Sequence, residues 1–219
     1  MITKGYSDFF KELKAHNNKE WFHANKKRYE NDVKQPFLEL LSELISTLYE
    51  WDNRILTDEK KALFRINRDV RFSKDKTPYN TLLKAGFSPN GKKSMLPGYY
   101  LGIGADTVHV GGGLFNVKPP ELKAVRNHIA YNVDDFLVIT NAKVFNDCLG
   151  EIKGDVAKRI DKAHEAVASK TQLIYNKQFY AMANLPLEDY YDSPTKLKDA
   201  ILKHFKAIKP LNEFLNEAF

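Results

Sequence analysis

Near residue 63 the spacing of apolar side chains switches from a helical to a strand period, and a chain carrying both must pack helices against a sheet. Before the switch, Phe37, Leu40, Leu41, Leu44, Ile45, Leu48 and Tyr49 recur at steps of three and four residues. Pro36 ahead of them suits a helix start. Asn17 followed by Glu20 reads as a capping box before Trp21, Phe22, Asn25 and Tyr29. Residues 1–57 are therefore expected to be helical. After the switch, Phe64, Ile66, Val70 and Phe72 alternate with Arg65, Asn67, Asp69 and Arg71, as on a half-buried strand. Ser73 to Pro78 has turn chemistry, Tyr79 to Phe87 resumes the alternation, and Pro89-Asn90-Gly91 turns the chain again. Tyr99–Ile103 and Thr107–Val110 complete an antiparallel meander of about four strands within 62–116, ended by Gly111-Gly112-Gly113.

Beyond the glycines the helical period returns. Pro119-Pro120-Glu121 opens a helix with Leu122, Val125 and Ile129 on one face, and a short helix follows Asp134-Asp135. Val156, Ile160, Ala163 and Val167 read as a partly exposed helix, and Gln172 to Leu185 as a return to strand. Ser193-Pro194 starts a last helix through Leu197, Ile201, Phe205 and Ile208, begun again or kinked at Pro210. No linker or repeat interrupts the chain. The expectation is an α+β fold over residues 1–219 as one domain. N-terminal helices pack on an antiparallel β-meander, and 119–219 form a mostly helical lobe.

An apolar content of 43% in 219 residues is ample for a core without staples. Cys148 is the single cysteine, so neither an internal disulfide nor a cysteine-based zinc site can form. The N-terminus lacks the apolar run of a signal peptide, and the richest apolar stretch, residues 37–49, is broken by Glu39 and Glu43. The expected compartment is the cytoplasm, with no membrane partner. Of the six histidines none stands in a metal-binding spacing, so no metal and no cofactor is expected. His109, one residue from the glycine run, is the one to watch.

The formal charge is +6, and its placement says more than its size. Residues 60–93 hold ten basic and two acidic side chains, a net +8, which leaves the rest of the chain at −2. Within this block Arg65, Arg68 and Arg71 surround one carboxylate, Asp69, and Asp75, Lys76 and Tyr79 follow in the turn. On a regular strand Arg68 would share the apolar face, so it needs a carboxylate partner or a bulge at Arg68-Asp69 to turn it outward. The guanidinium fork matches phosphate and carboxylate oxygens in pairs. Two readings compete: an ion-pair lattice that holds the strand, and an anion cradle. An aspartate beside arginine stays ionised, which argues against Asp69 as a general base and leaves Asp75 freer. Gly112, in the glycine run, would let a ligand approach the backbone, although a bulge or tight crossover is the commoner use of such glycines. No nucleotide-binding glycine spacing and no serine elbow is present.

The run Arg65, Arg68-Asp69, Arg71-Phe72, Asp75-Lys76 and Tyr79 resembles the signature of the DUF2461 family, a conserved hypothetical protein family of about this length. Gly98-Tyr99-Tyr100, the glycine run and the early Trp21-Phe22 fit it as well. The resemblance strengthens the expectation that the Arg65–Tyr79 run is the working part of the chain, and it implies no reaction. Three functions follow as expectations. The first is binding of an anionic, phosphate-bearing small ligand through Arg65, Arg68, Arg71 and Lys76. The second is nucleic-acid binding across residues 60–93, helped by interspersed tyrosines. The third is an enzyme acting on a phosphorylated substrate.

Overall fold

The structure, a computed structural model, describes residues 1–191 and 193–219, with Lys93 described by its main chain alone. Three N-terminal helices come first: α1 (Lys4–Ala15), α2 (Lys19–Ala24) and α3 (Gln35–Trp51), with a π-helical stretch at Tyr29–Lys34 leading into the third. The periodicity of α3 is borne out, since Phe37, Leu40, Leu41, Leu44, Ile45 and Leu48 are buried. Tyr49 is instead 45% exposed. The cap of α2 is Asn18, whose side chain accepts from the Trp21 amide; the expected cap, Asn17, serves elsewhere.

Four antiparallel strands follow in sheet order β1 (Leu82–Phe87), β2 (Gly98–Gly104), β3 (Thr107–Leu114) and β4 (Phe179–Pro186). The expected strand at 63–72 is not part of this sheet. That segment makes only the isolated bridges Leu63–Ala85 and Asn67–Tyr79, and Phe72 is 96% exposed. Pro78, opposite it, has no N–H to extend a ladder. The fourth strand is instead β4, at the opposite edge of the sheet beside β3, from within the stretch 172–185 expected to return to strand. The glycine run does not end the meander either: Gly111, Gly112 and Gly113 lie inside β3, paired with Gly98–Tyr100 on one side and Tyr180–Met182 on the other.

The C-terminal lobe holds α4 (Pro119–Tyr131), α5 (Val133–Thr140), α6 (Lys143–Leu149) and the long α7 (Pro194–Asn216), with Pro210 inside α7. Of the helix expected through Val156, Ile160, Ala163 and Val167, only the end is helical, as a 3-10 turn at Lys162–His164 and an α-turn at Glu165–Ala168; the chain before it is irregular, with Lys153 bridged to Tyr180 and Val156 to Asn176. Gly154 there lies so close to Gln178 that a Cβ would stand 2.2 Å from its carbonyl oxygen.

One face of the sheet is buried by helices. Leu83, Ala85, Phe87, Leu101, Ile103, Val108, Val110 and Phe179 point into the core. There Phe205 of α7 meets Phe87 at 5.7 Å and Tyr99 at 5.0 Å between ring centroids. From the N-terminal side the Tyr6 hydroxyl donates to the Ile103 carbonyl at 3.0 Å. On the opposite face the described residues place no α-helix, only the 3-10 turn Gly91–Lys93 against Gly86, and that asymmetry positions the site. Among the described residues no helix is long and apolar enough to cross a membrane.

Candidate functional site

Strand alternation sends every second side chain of the sheet to the uncovered face. Across that face, Lys84 pairs with Gly102, Gly102 with His109, and His109 with Asn184. The next row joins Gly86, Tyr100, Gly111 and Met182, and the next joins Gly98, Gly113 and Tyr180. Glycines thus alternate with large side chains, so the face is a groove with a main-chain floor. Two of these glycines are required by geometry. Gly113 has φ 119°, where a Cβ would stand 2.2 Å from the Phe179 carbonyl oxygen. At Gly98 a Cβ would stand 2.4 Å from the Phe87 carbonyl oxygen, whereas at Gly102 it would meet only the ends of two side chains, Leu82 Cδ1 at 2.9 Å and the Tyr100 hydroxyl at 3.0 Å.

The walls are Phe64 and the Lys92 main chain, which lie against Gly86, with Leu96 on the same side and Phe115 at the far end. The enclosed volume is about 710 Å³, within the range of small-molecule sites. A second hollow of about 400 Å³ lies between the ends of α3 and α7. There Asp52 pairs with Arg54 and Lys209 with Glu213, so much of its charge is already satisfied internally.

The groove has a polar set of its own. Lys84 is half-buried, and its ammonium contacts the Asn80 side-chain oxygen at 3.4 Å. Among the described residues no carboxylate is ion-paired with it. Burial, and then the neighbouring Arg68 guanidinium, lower its pKa. His109 Nδ1 lies 2.7 Å from Asn184 Oδ1. An amide oxygen can only accept, so Nδ1 donates in this contact. Burial raises the pKa of the Tyr100 phenol, so it is protonated at neutral pH.

The Arg65–Tyr79 run forms a braced loop beside this groove. Its stem is held by Arg68 N–H to Pro78 O and Asn80 N–H to Ile66 O, both 2.8 Å. Arg68, 25% exposed at its side chain, turns its guanidinium to the Asp75 carboxylate and the Thr77 hydroxyl, so it has the partner its position demanded, without a bulge in a ladder. Arg71 grips Asp69 with two parallel bonds of 2.9 and 2.7 Å, both side chains in solvent. Lys76 donates to the Val70 carbonyl at 2.9 Å. Arg65 is exposed and acts on Asp69 through its charge. Asp75 is not a freer acid. The Thr77 amide, then Arg68, hold its pKa at about 2.

Tyr79 is no cradle residue: it is buried, stacked on Phe22 at 4.0 Å and 17°. Gly112 meets the groove through its main chain, while its place in the alternation belongs to the helix-covered face. The structure therefore sets the Arg68 guanidinium close enough to Lys84 to be felt through its charge, and leaves Arg68, Asp69, Arg71, Asp75 and Lys76 bonded within the loop. Lys84, Tyr180, Met182 and Asn184 belong to the groove with Tyr100, and were missed by motif reading. The signal for them was the alternation of glycine with large residues in 98–113. Among the described residues no group of three or more His, Cys, Asp or Glu side chains is placed to hold a metal ion.

A family model described as "Conserved hypothetical protein (DUF2461)" matches residues 6–214. No curated protein matches the chain.

Proposed function

The chain belongs to the DUF2461 family, and we propose that it binds an anionic, phosphate-bearing small molecule in the groove on the open face of its sheet. The observation that carries this reading is Lys84. A half-buried ammonium without a paired carboxylate, beside a second cation, is electrostatically unsatisfied, and a bound anion relieves it. Arg68 is felt there through its charge and contributes the residue that Asp75 does not cancel. Arg65, Arg71 and Lys76 add long-range attraction rather than direct contacts. The proposal includes a cytoplasmic location, where Cys148 persists as a free thiol.

The test is thermal stability against inorganic phosphate and a panel of sugar phosphates and nucleotides at low and high salt. Binding to the native state raises the melting temperature by mass action. We expect a salt-resistant rise with at least one phosphorylated compound, abolished in Lys84→Gln at unchanged basal melting temperature. No rise with any member of the panel overturns the reading.

Phe72 favours a second reading. It is 96% exposed, with the Arg71 guanidinium 5.9 Å from its ring, on a loop that also carries Arg65, Lys74 and Lys76. Such a tip can stack on an unpaired base while the cations follow the phosphates. If so, single-stranded DNA or RNA binds with an affinity that falls steeply with salt, and Phe72→Ala weakens it. Binding indifferent to both salt and Phe72 discards this reading.

A further inference from the structure

From the way the groove distributes its chemistry we infer that its ligand is a nucleoside phosphate, with the phosphate at Lys84, the sugar over Gly98 and Gly113, and the base at Tyr180 and Phe115. This rests on the phosphate-binding reading above and names its substrate class. Three features, each at a different part of the groove, support it.

The first is the ring-binding end. Tyr180 and Phe115 meet edge to face at 5.1 Å and 68°. Phe115 is nevertheless 62% exposed, so most of its surface is open to another group. An aromatic pair with free surface accepts a planar ring. Asn116, also on the groove wall, has an amide able to donate and accept at a base edge.

The second is distance. Lys84 and Tyr180 are separated by three strand spacings across the sheet and four residues along it, about 20 Å between backbone positions. Long side chains shorten that span from both ends, but a compact aryl phosphate still cannot touch both. A ligand that uses both ends needs a linker between its anion and its ring.

The third is the middle. Gly86, Gly98 and Gly113 keep the floor at main-chain level, and polar groups stand beside it: the Tyr100 hydroxyl and the His109 imidazole. Each is able to hydrogen-bond a hydroxyl group. A linker bearing hydroxyl groups satisfies both, whereas an alkyl linker satisfies neither. An anion, a hydroxylated linker and a planar ring, in that order, describe a nucleoside phosphate.

The experiment is calorimetric titration of the full chain with the four ribonucleoside 5′-monophosphates, the same four nucleosides, ribose 5-phosphate and inorganic phosphate. Tyr180→Leu and Lys84→Gln are titrated alongside, each checked for unchanged melting temperature, with Tyr180→Phe as the conservative control. The expected result is that at least one nucleotide binds tenfold or more tighter than both ribose 5-phosphate and its own nucleoside. Tyr180→Leu then weakens the nucleotide tenfold without altering ribose 5-phosphate, Tyr180→Phe retains most of the affinity, and Lys84→Gln reduces the nucleotide to the level of the nucleoside. Equal binding of ribose 5-phosphate and every nucleotide overturns the inference and leaves phosphate binding standing. Equal binding of nucleoside and nucleotide overturns both the inference and the role of Lys84. Binding of a nucleotide that survives both substitutions places it outside the groove and overturns the inference.

Discussion

Asn17 satisfies both main-chain groups of Tyr79: its Oδ1 accepts from the amide at 3.1 Å and its Nδ2 donates to the carbonyl at 2.9 Å. One side chain thus does for the root of the loop what a neighbouring strand would do. Removing it strands two partly buried polar groups. Asn17→Ala is expected to cost about 1–3 kcal/mol in urea unfolding. Asn17→Asp keeps the acceptor alone and is expected to recover only part of that loss. Asp75 holds the other end of the loop. Its folded pKa, about 2, lies below the ordinary carboxylate value because it accepts from the Thr77 amide and from Arg68. The sign follows from that depression. Its contribution is fully present above about pH 4, the range of an unfolded aspartate, and is lost as the pH falls toward 2. The protection of the Thr77 amide from exchange, relative to an unfolded chain at the same pH, is expected to hold down to about pH 4 and to fall below it. Unchanged protection down to pH 2 would deny Asp75 this anchoring role. Neither partnership is legible in sequence, since a capping-box pattern pointed Asn17 at its own helix and the turn composition left Asp75 unassigned.

At the scale of elements, periodicity reported what a segment buries and could not report what it pairs with. The period of α3 comes from its own contacts with the core, so it was readable. Residues 64–72 alternate as a strand does, but Phe72 points to solvent and Pro78 cannot extend a ladder, so the alternation marks a loop stem. The glycines of β3 read as an ending because glycine usually weakens a strand. Here β2 and β4 approach so closely that only glycine fits between them, and that closeness is a property of three strands together. Gly113→Ala tests it. With φ at 119° and the Phe179 carbonyl in the way, the alanine variant is expected to lose about 1–3 kcal/mol in denaturant unfolding. A loss below a few tenths would mean that β4 can move aside. The groove itself was half legible: His109 stood out by its place beside the glycines, whereas Lys84 and Tyr180 came into view only once the registers joined β1 to β4.

For the whole molecule, α7 is the element that makes the two faces of the sheet unequal. Its Phe205 sits against Phe87 and Tyr99, from β1 and β2, and its Phe214 against Phe136 of α5. Phe205→Ala is expected to cost about 3–5 kcal/mol and to lower the melting of helices and sheet together, read by far-ultraviolet circular dichroism and tyrosine fluorescence on one sample. Two separated transitions would show that the helical lobe and the sheet fold independently. The open face has a different relation to change. Where a pocket is floored by side chains, one residue can swap rotamers or be replaced and the contour adjusts. Here the contour is moulded in peptide planes, and an added methyl at Gly98 or Gly113 collides with a neighbouring carbonyl. A change in what the groove binds is therefore expected from substitutions at the rim, at Lys84, His109, Phe115, Tyr180 and Asn184, read by calorimetric titration. Alanine at Gly98 or Gly113 is expected instead to lower stability in denaturant unfolding.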